Sequence, residues 1–287
     1  MSTSLRALVV GGTNGIGYAM ACRIATDHTS STVIISGRNK PDKIPHPNIE
    51  FLAVDASSMR QIKQYTGKIK TSLGDQKLDF LIMTQGIFTM AGRTETAEGI
   101  DNKMALHYYG KQLLIRELLP VLQDDARVII VLDGKNGAPT KLEWKDLDLK
   151  RTYSLTSAAY HCISMKDAII QFYAAQQQQS GNSKRHFVHA FPGVVASNIM
   201  AGLPWYLRGP AQVLMKMAAV STDTCAEYLL TGTSEVTQTA EKDGRFWSNV
   251  DQKGRGVPDK VIWTDEQLKS VSDHTWGVID SALKCTA

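Results

Sequence analysis

The stretch Gly11-Gly-Thr-Asn-Gly-Ile-Gly17 decides how this sequence of 287 residues folds. It follows an apolar run, Ala7 to Val10, that is typical of a buried β-strand, and it opens a segment of helical periodicity. Gly11 permits a tight turn, Gly15 lets the backbone approach a phosphate, and Gly17 lets the helix pack closely on the strand. Free N–H groups at the start of the helix would face that phosphate. The junction therefore predicts a dinucleotide site.

Along the rest of the chain, short apolar runs alternate with longer helical segments, which is the pattern of a parallel sheet wrapped by helices. Strands are predicted at Ala7–Val10, Thr32–Ser36, Phe51–Val54, Phe80–Met83, Val128–Leu132 and His186–Phe191, with a seventh at Arg245–Asn249. Helices are predicted at Gly15–Thr26, Met59–Leu73, Ile100–Leu122, Ser157–Gln179, Thr222–Thr231 and Asp265–Leu283. The sequence predicts an α/β fold with a doubly wound (Rossmann) parallel sheet of seven strands, helices on both faces, and one domain over residues 1–287.

Composition narrows the class of protein. Hydrophobic residues make up 43% and charged residues 21%, as in a globular chain, and the net charge of +4 is spread without a basic arm, which argues against nucleic-acid binding. The four cysteines are scattered without a C-x-x-C pair, so we expect reduced thiols and no metal site. The first apolar run is too brief for a signal peptide, and no run approaches the roughly 20 residues of a spanning helix, so we expect a cytoplasmic protein without a transmembrane segment.

The segment 198–220 interrupts the alternation after the sixth strand. It contains Leu203-Pro-Trp-Tyr-Leu and then an apolar helical stretch. Because doubly wound folds bind ligands at the carboxyl ends of their strands, we expect this insertion to cover a substrate. The alternative is an amphipathic surface helix.

The end of the second strand selects the form of the dinucleotide. An acidic residue there would bind the ribose 2'-hydroxyl of NAD, but the strand ends Ser36-Gly-Arg-Asn39 without a carboxylate. Arg38 offers a planar fork that matches the 2'-phosphate of NADP. The predicted cofactor is therefore NADP(H), although a surface arginine would give the same sequence.

Three landmarks in register give the chain a resemblance to the short-chain dehydrogenase/reductase family. The glycine stretch resembles that family's T-G-x-x-x-G-I-G turn, Val54-Asp55 resembles the aspartate that holds the adenine amino group, and Phe191-Pro-Gly193 resembles the turn beside the nicotinamide. The family's N-N-A-G stretch is replaced by Met83-Thr-Gln-Gly86. The resemblance implies a cofactor lined by Gly11, Thr13, Asn14, Gly15, Ile16, Gly17, Arg38, Asn39, Asp55, Gln85, Gly86, Lys166, Pro192, Gly193 and Val195.

The family's catalytic tyrosine and lysine lie four residues apart on one helix, but here Tyr160 and Lys166 are six apart. They are therefore separated by about 240° around the helix and cannot share a face. If Lys166 keeps the family's position, Cys162 occupies the tyrosine position; if Tyr160 keeps its position, Ser164 replaces the lysine. The 26 residues from Lys166 to Pro192 favour the first alignment.

The other two positions of the family's Asn-Ser-Tyr-Lys set also differ. Asp133 falls where the catalytic serine is expected, and alignment on Gly110 places His107 where the asparagine is expected. His107 would serve as general acid if Asp133 lay close enough to orient or charge it, and Cys162 would donate a proton if Lys166 were adjacent. A histidine bonded to backbone, a buried inert thiol and a tyrosine packed in the core are the alternatives for His107, Cys162 and Tyr160.

Three functions fit this altered set. The first is an NADP(H)-dependent oxidoreductase that reduces a carbonyl, imine or activated alkene of a small to medium hydrophobic substrate. The second, by analogy with members of fungal secondary metabolism, is a cyclase or isomerase without redox chemistry, with Trp205 and Tyr206 folding the substrate. The third is a sensor or scaffold that binds NADP(H) without turnover. A homodimer through the helices Ile100–Leu122 and Ser157–Gln179 is also expected, unless their apolar faces pack on the core of their own chain.

The Arg38 assignment makes the first prediction. Arg38→Asp should weaken NADPH binding far more than NADH binding, because only NADPH carries the 2'-phosphate. Calorimetric titration with each dinucleotide measures both affinities. An equal loss for the two would contradict the assignment.

Overall fold

The structure, a computed structural model, describes residues 4–181, 183–196 and 219–285. Its centre is a parallel sheet of seven strands in the order β3-β2-β1-β4-β5-β6-β7. The strands are β1 (Arg6–Val10), β2 (Thr32–Gly37), β3 (Ile49–Ala53), β4 (Leu78–Met83), β5 (Leu122–Val131), β6 (His186–Ala190) and β7 (Trp247–Val250). The predicted doubly wound α/β fold is confirmed. The strand order reverses between β1 and β4, and in such sheets this is where ligands bind.

Helices cover both faces of the sheet. They are α1 (Gly15–Asp27), α2 (Met59–Leu73), α3 (Asn102–Met104), a π-helical turn (Ala105–Tyr109), α4 (Gly110–Leu118), a 3-10 turn (Leu119–Val121), a second 3-10 turn (Pro139–Lys141), α5 (Leu155–Ser180), α6 (Thr222–Lys242) and α7 (Asp265–Lys284). Neighbouring residues of β1 point into opposite layers: Leu8 packs with α2, α4, α5 and α7, whereas Val9 packs with α1 and α6. This is why the strands are apolar along their whole length.

The predicted helix Ile100–Leu122 is wrong at both ends and in its middle. The carboxylate of Asp101 caps the backbone N–H groups of Lys103 and Met104, a π-helical turn follows, and Pro120 lies in a 3-10 turn. The chain then enters β5 at Leu122, six residues before the predicted start of that strand. The polar residues at the start of β5 concealed it: Asp124 and Asp125 are exposed, because this end of the strand lies outside the core.

One further helix differs from its prediction, and one predicted segment lies mostly outside the described residues. Helix α6 continues to Lys242, whereas the sequence predicted an end at Thr231. Most of the predicted substrate cover at 198–220 lies outside the described residues, but its two flanks meet: Val195 and Val220 form a parallel bridge. Within the described part of the chain, no helix is long and apolar enough to cross a membrane.

Helix α7 covers the face through which a homodimer was expected. The hydroxyl of Tyr108 lies 2.7 Å from Thr275 Oγ1, and Arg116 forms an ion pair of 2.8 Å with Asp280 while its guanidinium stacks on Trp276. The apolar faces of α4 and α5 are thus buried within their own chain. This is the packing that was the alternative to a dimer contact, and the homodimer stays a prediction.

The docking of α7 predicts a stability difference between two isoleucines. Ile279 on α7 is fully buried, whereas Ile262 in the preceding loop is 70% exposed. Ile279→Ala should lower the free energy of unfolding by about 2–5 kcal/mol, because it removes buried contacts and leaves a cavity. Ile262→Ala is the matched control and should change it by about 0.5 kcal/mol or less. Urea denaturation measures both, and equal small effects would mean that α7 is not docked.

Candidate active site

The glycine turn lies directly against the end of β4. Gly11 has a φ of +85°, and a Cβ on it would lie 2.5 Å from the backbone N of Gln85. A Cβ on Gly17 would overlap the hydroxyl of Thr84. Only glycine permits these approaches, since any side chain would separate the turn from the strand. The side chain of Asn14 accepts a hydrogen bond from Gly15 N and caps α1, whose first turn holds no acidic residue.

The predicted adenosine residues lie at the carboxyl ends of β2 and β3. Arg38 and Asn39 directly follow β2, and both are exposed. Thr13 approaches them from the glycine turn, because its hydroxyl oxygen would lie only 2.6 Å from a Cβ on Gly37. The Oδ1 atom of Asp55 accepts hydrogen bonds from the backbone and hydroxyl of Ser57 at 3.0 and 2.6 Å. These residues lie at neighbouring strand ends, and their role in binding adenosine stays a prediction.

Two predicted residues carry buried polar atoms with no hydrogen-bond partner among the described residues. Both amide atoms of Gln85 and the Nζ atom of Lys166 are of this kind. Gln85 is 8% exposed and follows β4, while Lys166 is fully buried on α5. Because a buried polar group without a partner is costly, these atoms fit a site that a polar ligand completes.

The predicted nicotinamide turn follows β6. Gly193 has a φ of +69°, which favours glycine, and a Cβ on it would lie 2.7 Å from the Cβ of Gln252. The carbonyl of Pro192 accepts a long hydrogen bond of 3.6 Å from the thiol of Cys225, and Val195 is buried against the core. Ile16 packs in the same apolar layer from α1. The turn is thus held at the same edge of the sheet as the glycine turn.

His107 lies on the π-helical turn and reaches the carboxyl end of β4. Its Nε2 lies 3.1 Å from the backbone N of Ile87 and 2.9 Å from the carbonyl oxygen, and its Cε1 would lie 3.0 Å from a Cβ on Gly86. Burial, and then the charges of Lys111 and Lys166, lower the pKa of His107 to about 3. The imidazole is therefore neutral at physiological pH.

The expected pairing of Asp133 with His107 is corrected by these contacts. The carboxylate of Asp133 accepts hydrogen bonds from the backbone N atoms of Lys135 and Asn136 and from the Asn136 amide, at 2.9, 3.2 and 2.7 Å. These hydrogen bonds tie the Asp133 side chain to the loop that follows β5. The charges that act on His107 are cations, so the imidazole is not charged by Asp133. Asp133 instead acts on Lys166: burial lowers the pKa of that lysine, and the negative charge of Asp133 acts against the shift.

Cys162 and Tyr160 lie in different surroundings on α5. Cys162 is 3% exposed in the core, and burial raises the pKa of its thiol to about 12 despite the charge of Lys166. Tyr160 is half-buried, with the ammonium of Lys141 4.8 Å from the centre of its ring. The structure therefore brings Cys162 and Lys166 together, as their spacing of four residues requires, and leaves Tyr160 on another face.

Comparison with known proteins identifies the family to which this chain belongs. Residues 6–138 match the profile of a family described as short chain dehydrogenase. An oxidoreductase of Emericella nidulans is 34% identical over 68% of this chain and 60% of its own length. The chain belongs to the short-chain dehydrogenase/reductase family. The human polyprenol dehydrogenase is 29% identical over 70% of this chain and 64% of its own length.

A solved structure shares the fold of this chain. The NADPH-bound carbonyl reductase from chicken fatty liver aligns with a TM-score of 0.60 and 16% identity, covering 91% of this chain and all of that one. The match with the two curated relatives spans 60 and 64% of their lengths, so it extends over less than two thirds of each. At 16% identity, the likeness to the chicken enzyme shows the fold alone.

Sequence reasoning missed a buried polar network around Asp167, the neighbour of Lys166. Its Oδ1 lies 2.6 Å from His189 Nδ1 and 2.7 Å from Asn249 Nδ2, and its Oδ2 lies 2.5 Å from Lys260 Nζ. Burial acts to raise the pKa of Asp167, but the bonds to His189 and Lys260 hold it below its usual value. Asn249 also donates to the carbonyl of Gly134, so the network fixes the loop that carries Asp133.

A second buried lysine, Lys111, was also missed. Its Nζ lies 2.9 Å from the carbonyl oxygen of Val131 and 3.3 Å from that of Met83, at the carboxyl ends of β5 and β4. A lysine inside a helix is normally solvated, so the sequence carried no warning. A histidine in the middle of an apolar strand, as at His189, was a visible sign of a buried polar partner.

Within the described residues, no three His, Cys, Asp or Glu side chains are placed to hold a metal ion.

Burial predicts that Cys162 is chemically inert. The thiols of Cys162 and Cys225 have pKa values raised to about 12 by burial, whereas Cys285 is exposed. At about pH 8 only on the order of one buried thiol in ten thousand would be ionised, and the thiolate is the reactive form. Iodoacetamide followed by peptide mass spectrometry should modify Cys285 and leave Cys162 and Cys225 unmodified. Modification of Cys162 as fast as Cys285 would make it a reactive group after all.

Proposed function

We propose that this chain is an NADP(H)-dependent reductase that acts on a carbonyl, an imine or an activated alkene of a small to medium hydrophobic substrate. Two unpartnered buried groups carry the proposal: the side-chain amide of Gln85, a residue that lies against the glycine turn, and the Nζ atom of Lys166, whose charge acts on His107 at the end of β4. Both groups are buried at the edge of the sheet where doubly wound folds take their ligands. A dinucleotide would supply the polar partners that they lack.

The choice of NADP(H) rests on the end of β2. Arg38 is exposed there, and no carboxylate follows the strand to bind a 2'-hydroxyl. The glycine turn and the capped end of α1 supply backbone N–H groups for the pyrophosphate. The chicken carbonyl reductase, which shares the fold, carries NADPH. These features together favour the phosphorylated dinucleotide.

The chain's own residues divide the work of binding and orientation. Asp55 would bind the adenine, Gln85 and Val195 would line the cofactor, and Lys166 would hold the nicotinamide ribose, as the family resemblance implies. The nicotinamide, when bound, supplies the hydride. The neutral imidazole of His107 packs against Gly86, so a residue with a side chain at position 86 would push the imidazole aside. The network around Asp167 keeps the Asp133 loop in place.

A hydrophobic substrate fits the exposed side chains at this edge. Phe88 and Met90 follow β4 and are 43 and 53% exposed, and Val194 follows β6 and is 51% exposed. Large apolar side chains at the mouth of a site favour apolar ligands. The human relative is named for a polyprenol, which is a long apolar alcohol. A cytoplasmic location and a role in secondary metabolism stay predictions from the sequence.

A cyclase or isomerase and a cofactor sensor remain the competing functions, because Cys162 stands where the family places its tyrosine. The three can be separated with purified protein and NADPH. We expect NADPH to bind more tightly than NADH in calorimetric titration, and its absorbance to fall with at least one of four probes: menadione, farnesal, a cyclic imine and a cyclic enone.

Other outcomes of this experiment point elsewhere. A product formed without oxidation of NADPH would indicate a cyclase or isomerase. Tight NADPH binding with no change in any probe would indicate a sensor. If neither dinucleotide binds, the glycine turn is structural and the proposed function is wrong.

A further inference from the structure

Reduction of a carbonyl requires a proton at the oxygen as the hydride reaches the carbon. Three of the groups expected to supply it are not suited to do so. His107 is neutral, the carboxylate oxygens of Asp133 accept hydrogen bonds within their own loop, and the thiol of Cys162 is buried in the core. Tyr160 lies on another face of α5, under Lys141. The proton must come from elsewhere in the site.

Lys166 is a buried titratable group of this site whose N–H donors are unused. Its Nζ is fully buried and has no hydrogen-bond partner among the described residues. It lies four residues after Cys162, so it shares the face on which the family carries its tyrosine. Burial lowers the pKa of Lys166 to about 7, although the negative charges of Asp167 and Asp133 act to raise it. A group with this pKa exchanges protons readily near neutral pH.

The surroundings of Lys111 allow this second buried lysine to be neutral while Lys166 is protonated. Two backbone carbonyls accept from its Nζ, and a neutral amine has two N–H bonds, so Lys111 can lose its charge without losing either hydrogen bond. Burial, and then the charge of Lys166, hold the pKa of Lys111 well below its usual value. Lys111 can therefore be the neutral one of the two lysines, and a positive charge on Lys166 favours that neutral form.

We propose that the Lys166 ammonium is the catalytic proton donor of this site, in place of the tyrosine that the family uses. The inference rests on the proposed reduction. One N–H bond of Lys166 breaks and one O–H bond forms at the substrate oxygen, while the substrate carbon is reduced by the hydride of the reduced nicotinamide dinucleotide, which is oxidised. Lys166 is left as a neutral amine and takes a new proton from water before the next turnover.

Tyr153 is the rival donor. Among the tyrosines that the structure describes, it has a buried hydroxyl without a hydrogen-bond partner. Its ring, however, lies under the ammonium of Lys103, 5.3 Å away, in the segment that precedes α5. Lys103 is held by the carbonyls of Ala91 and Gly92. This arrangement explains the position of Tyr153 without a catalytic role.

The pH dependence has a definite sign. Only the protonated form of Lys166 donates, so turnover is high below its pKa and falls as pH rises through it. The titratable or charged groups that act on Lys166, or on which it acts, are Cys162 and Asp167 on α5, Asp133 after β5, His107, Lys111 on α4 and His189 on β6. The negative charge of bound dinucleotide adds to the carboxylates and moves the midpoint upward from about 7.

The test uses the full chain, saturating NADPH, and menadione and farnesal as substrates. Turnover of the wild type should fall about tenfold per pH unit above the midpoint. Lys166→Arg keeps the positive charge but cannot donate near neutral pH, so NADPH affinity should stay within about threefold while turnover falls about 100-fold or more. Lys141→Arg on the surface is the matched control. Tyr153→Phe should keep turnover within about threefold.

The outcomes separate this inference from the function on which it rests. If neither substrate oxidises NADPH, the proposed reduction fails for these probes and the assignment of Lys166 falls with it. If reduction occurs but is independent of pH between about 6 and 9, or persists in Lys166→Arg, the inference is overturned and the function stands. A loss of about 100-fold in Tyr153→Phe would give the role to Tyr153. The wild-type pH profile decides the question even if Lys166→Arg does not fold.

Discussion

The close approach of the glycine turn to the end of β4 is the constraint on which the rest of the site depends. Gly11 and Gly17 leave no room for a side chain between the turn and Thr84 or Gln85. Because the turn lies there, α1 starts at the point where the strand order reverses, with its N–H groups facing the crevice. The buried amide of Gln85 has no hydrogen-bond partner among the described residues, so a bound ligand would supply one.

A second constraint is the burial of cations near this crevice. Lys111 and Lys166 lie in the apolar layer formed by α4 and α5, where desolvation opposes their charges. The carboxylates that offset the charge of Lys166 are held by other elements: Asp167 by His189 and Lys260, and Asp133 by its loop. The electrostatics of the site therefore depend on β6, β7 and the segment before α7, which are distant in sequence from the glycine turn.

The parts of the fold that the sequence predicted well are those with local signals. Helix α2 was predicted from Met59 to Leu73, as observed, because Ser58 caps its start and Gly74 ends it. The start of β5 was missed because its first residues are polar, and the docking of α7 was missed because an amphipathic helix does not specify its partner. The pairing of His107 with Asp133 failed for the same reason: residues in two elements can align with a family's positions without touching.

The two buried lysines, Lys111 and Lys166, differ in what the fold requires of them. A leucine at position 111 could not donate to the carbonyls of Met83 and Val131, so the ends of β4 and β5 give a structural reason for Lys111. Lys166 has no such partner among the described residues, and an apolar residue could replace it if α5 needed only to pack. An unpartnered lysine beneath a ligand crevice does have a reason if the site must hold and release a proton, and its positive charge favours the neutral form of Lys111.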